Sequence, residues 1–103
     1  MNNTFQDIIN SEKPVLIDFY ATWCGPCVRI GPYVHKRCEE SHVALIKVNV
    51  DECPELSSAY GIQAMPTFIV IKGQWDNKIF TKTGGSEGVV NAAVEEALKN
   101  KGH

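Results

Sequence analysis

The sequence predicts one α/β domain built as a three-layer sandwich, with helices on both faces of a central mixed sheet of about four strands. Three observations predict it. The runs at 15–20, 44–50 and 67–72 are strand-length, apolar and partly β-branched, as strands covered on both faces must be. Stretches of helical spacing fall between them, giving the order α-β-α-β-α-β-β-α. The 103 residues contain no repeat, linker or low-complexity tract and suffice for one core, so residues 1–103 are read as a single domain.

Taken in order, Thr4 is placed to cap a short helix with Phe5, Ile8 and Ile9 on one face, ending before Pro14. The strand at 15–20 follows, interrupted only by Asp18. From Cys24 the pattern turns helical to about Glu40, with a kink expected at Pro32. Residues 44–50 read as a second buried strand. Asp51 and Pro54 then open a short helix reaching about Tyr60, with Gly61 as its stop. The third strand covers 67–72 and the fourth 78–83, joined by a loop containing Gly73 and Asn77 as an antiparallel hairpin. Ser86 caps a last helix that carries Val90, Ala93, Val94 and Ala97 on one face.

Composition narrows the function. Lys plus Arg number 10 against 12 Asp plus Glu, and no basic patch stands out, so nucleic acid is not an expected partner. The longest apolar runs are far too short to span a membrane. Met1-Asn2-Asn3-Thr4 lacks the basic start and apolar block of a signal peptide, so a reducing, cytoplasmic setting is expected. In such a setting a C-x-x-C pair is catalytic or metal-binding more often than a structural staple.

That pair is Cys24 and Cys27, inside "YATWCGPCVR". Three readings compete: a metal site, two buried thiols, or a redox couple. Zinc wants four ligands in two close pairs, whereas Cys38 and Cys53 form no second pair and His35 and His42 have no partner at ligand spacing. No metal is therefore expected. Cys27, Gly31, Val34 and Cys38 form one helical stripe facing the sheet, which shelters Cys27. Cys24 falls at the helix N-terminus, where unpaired N–H groups stabilise a thiolate, and is expected to be exposed. Gly25 and Pro26 suit the tight first turn between them. One exposed, activated sulfur beside one sheltered partner is the asymmetry that thiol–disulfide exchange requires. Two buried thiols would leave the Trp-Cys-Gly-Pro-Cys string without a reason.

Trp23-Cys24-Gly25-Pro26-Cys27 after an apolar strand resembles the active-site motif of the thioredoxin family. Asp18 stands six residues before the first cysteine, and Lys47, Pro66 and Gly84 fall where that family carries its lysine, its cis-proline and its groove glycine. The resemblance covers 4–98. It implies a thioredoxin fold and a protein-disulfide reductase working through a reversible Cys24–Cys27 couple. Cys24 is then the nucleophile and Cys27 the resolving thiol. Asp18 is the proton acceptor, and Lys47 either tunes Asp18 or turns out to solvent. The Met65–Pro66 bond is expected to be cis and to shape a substrate groove with Trp23, Gly25, Pro26, Ile62, Met65 and Gly84. The implied partners are disulfide-containing proteins and a thioredoxin reductase that returns the electrons, because the chain has no nucleotide or flavin motif; no cofactor and a monomeric state are implied. An oxidase or isomerase of the same fold, and a binding module whose redox chemistry is incidental, are the rival readings.

The chain departs from the family in several places. Val28 replaces the usual lysine after the second cysteine, and Tyr20 stands at the first aromatic of the motif. Only Met1 to Asn3 precede the first helix, so the N-terminal strand is expected to be missing and the 44–50 strand to be a sheet edge. The hairpin segment "KGQWDNK" is longer than usual, and Trp75 is expected to pack against its own hairpin. Cys38 is expected in the core, since about 16 Å of helix separates it from Cys27, beyond disulfide reach. Cys53, at a helix start, is read as a packing residue in preference to a regulatory or dimer-forming thiol.

Overall fold

A computed structural model describes residues 12–101. The expected first helix at Thr4, and the expected absence of an N-terminal strand before it, lie outside these residues. Within them the chain forms β1 (Pro14–Tyr20), α1 (Gly25–Ser41), β2 (Ala44–Asn49), α2 (Pro54–Ala59), β3 (Thr67–Lys72), β4 (Gln74–Thr83) and α3 (Glu87–Lys99). The sheet order is β2-β1-β3-β4. β1 and β2 run parallel, joined by the α1 crossover, while β1 with β3 and β3 with β4 are antiparallel. The sheet is mixed and has four strands, as expected, and β2 is an edge among the described strands.

Side chains alternate across a strand, so β1 divides its residues between two layers. Leu16 points into the layer under α1 and α3, with Ile30, Val34 and Cys38 from α1 and Val90, Ala93, Val94 and Ala97 from α3. Val15, Ile17 and Phe19 point the other way, into a cluster with Val48, Tyr60, Ile69 and Ile71 beneath α2. Both faces of β1 and β3 are therefore dry, which explains why their sequences are apolar at consecutive positions.

Local signals set the helix ends. α1 has Cys24 as its N-cap and runs through Pro32 without ending there. His42, in the left-handed region at φ 56°, closes it by donating its N–H to the Cys38 and Glu39 carbonyls. The buried face of α1 carries Ile30 between Cys27 and Val34, with Gly31 only half-buried. Ser86 caps α3 by accepting the Val89 N–H. Asn91 ties the two long helices together, accepting from Tyr33 Oη at 2.8 Å and Arg37 Nε at 2.9 Å. α2 begins at Pro54 rather than Asp51, which sits in the preceding turn, and Gly61 follows its end at φ 67°.

The hairpin differs from expectation. β4 starts at Gln74, four residues before the predicted 78, because a register shift near Ile71 carries the polar Gln-Trp-Asp-Asn segment within the strand. Asn77 Nδ2 donates to the Lys72 carbonyl at 2.6 Å and holds that segment against β3. Trp75 also reaches beyond its own hairpin. Its ring meets Tyr60 edge-on with centroids 5.7 Å apart, and its carbonyl accepts the Tyr60 hydroxyl.

Candidate active site

β1 ends at Tyr20, and the following turn brings Cys24 to the start of α1, where the Cys24 N–H donates to Ala21 O at 3.2 Å. Cys24 and Cys27 are joined in a disulfide, with their Cα atoms 5.3 Å apart. Cys24 Sγ also accepts the Cys27 backbone N–H at 3.2 Å, so the cysteine caps its own helix. Once reduced, a sulfur so placed receives a helix N–H that has no partner within the helix, the environment that favours a thiolate. Among the described residues no group of three or more His, Cys, Asp or Glu side chains converges as a metal site.

One expectation needs correcting. Cys24 is not the exposed member of the pair: it is 7% exposed against 5% for Cys27. Both pack against Ala21, with Tyr20, Val50 and Met65 around them. Sequence spacing placed Cys24 correctly at the helix start, but a helix N-terminus is open to solvent only where no neighbouring loop covers it. Here Ala21, Tyr20, Val50 and Met65 provide that cover.

Asp18 lies on the same sheet face as Leu16, beneath α1, and is 2% exposed. Its Oδ1 is buried without a hydrogen-bond partner among the described residues. Burial pushes its carboxyl up to about 6, opposed by the positive charge of Lys47. Lys47 is the Cα partner of Asp18 in the parallel register. Its positive charge acts against the rise at Asp18, and the ammonium of this exposed residue lies over the Tyr20 ring, 4.7 Å from the centroid. A groove of about 530 Å³ runs from Cys27 past Val28 and Gly31 to Lys47.

The other side of the disulfide is shaped by the 62–67 segment. The Met65–Pro66 bond is cis, Pro66 is buried and Met65 half-buried. The Pro66 carbonyl accepts the Gly84 N–H at 2.9 Å, and Gly84 has φ 135°, a conformation that favours glycine. Thr67 Oγ1 donates to Ala64 O at 2.6 Å and fixes the turn into β3. Trp23 is 68% exposed, and Gly25 and Pro26 are exposed beside it. Ile62 is half-buried against the cluster beneath α2, so it offers this surface only one flank. Val28 is 60% exposed and leaves an apolar group on the rim.

Two residues here escaped the sequence reading. Asp51 Oδ2 accepts the Trp23 indole N–H at 2.8 Å and holds the ring in place. Gly85 lies so close to Pro26 that a Cβ would stand 2.9 Å from the Pro26 Cβ. The second glycine of "TKTGG" was the available signal, but its partner lies 59 residues away in sequence. Of the remaining cysteines, Cys38 is buried as expected, and burial with the nearby Asp18 charge pushes its thiol up to about 11. Cys53 is exposed and makes no capping bond, contrary to a packing role: it stands at the first turn of a short helix with its side chain outward.

Comparison with known proteins agrees with this geometry. The Thioredoxin family model matches residues 1–96. The chain is 41% identical over 87 residues to the chloroplastic Thioredoxin Y2 of Arabidopsis thaliana, a match covering 82% of this chain and half of that protein's length. It is 43% identical over 75 residues to Thioredoxin 1 of a Nostoc species, covering 70% of each. The solved structure of Plasmodium falciparum thioredoxin superposes with a TM-score of 0.81 at 34% identity, covering 89% of each chain.

Proposed function

The chain belongs to the thioredoxin family, and from that premise we propose that it is a thiol–disulfide oxidoreductase that reduces protein disulfides through the Cys24–Cys27 couple. The observation that carries the reading is the Cys24–Cys27 bond at the N-cap of α1, set against a cis Met65–Pro66 peptide.

In the reduced protein, the Cys24 thiolate attacks one sulfur of a substrate disulfide. The substrate S–S bond breaks, a mixed disulfide forms on Cys24, and the departing substrate thiolate takes up a proton. Cys27 then gives its proton to Asp18 and attacks Cys24 Sγ. The Cys24–Cys27 bond forms, the second substrate thiolate leaves and is protonated, and two electrons have passed to the substrate. Asp18 suits the acceptor's role because burial holds its carboxyl at about 6, near enough to neutrality both to receive and to release a proton. Lys47 keeps that value from rising further. Trp23, Gly25, Pro26, Ile62, Met65, Pro66 and Gly84 form the docking surface, on which Met65 backbone groups pair with an extended substrate segment.

Thioredoxins in general act on disulfide proteins and are re-reduced by thioredoxin reductase, and the same cycle, as a cytoplasmic monomeric electron carrier, is proposed here. No described helix is long and apolar enough to cross a membrane. The test is the reduction potential of the pair, by equilibration against a glutathione buffer series. A value near that known for thioredoxin itself, about −270 mV, supports a reductase. A value near the oxidising members, about −120 mV, overturns it in favour of an oxidase.

A further inference from the structure

The surface between α2 and the start of β4 has no role in the chemistry above. It is a groove of about 650 Å³, floored by Pro54, Leu56, Ala59 and Trp75 and flanked by Glu52 and Glu55. Trp75 is 44% exposed, yet it is not loose. Tyr60 meets its ring edge-on and donates to its carbonyl, which presents the indole in one orientation. Rigid, half-exposed tryptophans in apolar hollows are the kind of residue that carries binding energy. Charge decides what fits. Two carboxylates, Glu52 and Glu55, line the groove, the exposed Asp76 adjoins Trp75, and no described lysine or arginine lines it.

We propose that this groove is a second docking site for protein substrates, taking a segment in which an arginine or lysine stands beside an apolar side chain. The apolar group fills the hollow over Leu56 and Ala59. The cation pairs with Glu52 or Glu55 and lies against the Trp75 ring. The groove borders the redox face: Asp51, next to Glu52, holds Trp23, and Trp23 directly precedes Cys24. A substrate seated there has its disulfide delivered to Cys24 at raised effective concentration. The proposal deepens the oxidoreductase reading and rests on it for its biological meaning.

Cys53 supplies a probe that needs no turnover. It lines the groove, and in the oxidised protein it is the exposed free thiol, since Cys24 and Cys27 are bonded and Cys38 is buried. Two synthetic cysteine-free peptides are compared, one bearing Arg-Leu-Arg and the other Glu-Leu-Glu. The Arg-Leu-Arg peptide is expected to slow alkylation of Cys53 in the oxidised protein, roughly tenfold when present at ten times its Kd, with protection weakening as salt is raised. Trp75→Ala is expected to abolish protection. Should that variant fold poorly, Glu52→Lys is expected to raise the half-protecting concentration by about fivefold while leaving the fold intact. Equal protection by both peptides, or by neither, overturns the proposal. Reduction of a small aromatic disulfide by the wild-type protein is measured alongside. Its absence would sink the oxidoreductase reading alone, because Cys53 protection is read on the oxidised protein and stands or falls separately.

Discussion

The two faces of β1 do different work. Val15, Ile17 and Phe19 on one face enter a cluster of apolar side chains closed by the Tyr60 ring. On the other face Leu16 does the same under α1, but Asp18 follows it with a buried carboxyl oxygen that no described residue satisfies. One face is arranged for stability alone. The other gives up stability at a single position, and that position adjoins the disulfide helix. A strand can hold both because alternate side chains never meet: the cost of burying Asp18 does not loosen the packing of its neighbours.

The contrast can be broken most forcefully at Phe19, which is fully buried with its ring 5.4 Å from that of Tyr60. Phe19→Ala is expected to destabilise by about 3–5 kcal/mol in denaturant unfolding. It should leave the pH dependence of disulfide exchange where it was, and a shifted pH profile would show that the faces are coupled. Asp18→Asn acts with the opposite sign. A carboxyl raised from 3.8 to about 6 by folding binds protons more tightly in the native state. The stability tied to its proton is therefore full below pH 3.8 and lost as pH rises through about 6. The variant should be more stable than the parent by about 2–3 kcal/mol above pH 7 and no more stable below about pH 4. It should also slow the Cys27 step by roughly tenfold or more at neutral pH, read by quenching the mixed disulfide.

Smaller effects sharpen the boundary of the site. Gly85→Ala puts a methyl group against Pro26, whose ring cannot swing away. A loss of about 1–2 kcal/mol is expected, with weaker binding of protein substrates and little change for a small disulfide. Ser86→Ala removes the side-chain cap of α3, at a cost of about 1 kcal/mol and with no change in exchange kinetics.

The parts legible in the sequence were those written in consecutive residues. β3 was read to its bounds because its apolar run is closed by Pro66 on one side and Gly73 on the other. α3 was given by Ser86 and a regular apolar spacing, and the Cys24–Cys27 pair by its motif. The features that the sequence does not display share a cause. The burial of Cys24, the hold of Asp51 on Trp23, the contact of Gly85 with Pro26 and the seating of Trp75 on Tyr60 are all made between distant segments. Nothing in the local pattern of either partner records them. The early start of β4 was hidden for a related reason: its Gln-Trp-Asp-Asn segment has no alternation, being held by a register shift and the Asn77 side chain rather than by a covered face.

Among the described strands, the order β2-β1-β3-β4 sets β1 and β3 inside the sheet and leaves β2 and β4 outermost. Hydrogen-bonded sheets open from their margins first, so the amides of β1 and β3 are the last to exchange with solvent. Asp18 and the Pro66 turn belong to that slowest-exchanging pair, whereas Lys47 and Trp75 ride on the strands that fray. Substitutions in the outer strands are thus expected to be absorbed by local opening, so the surfaces they carry can change while the disulfide centre keeps its shape.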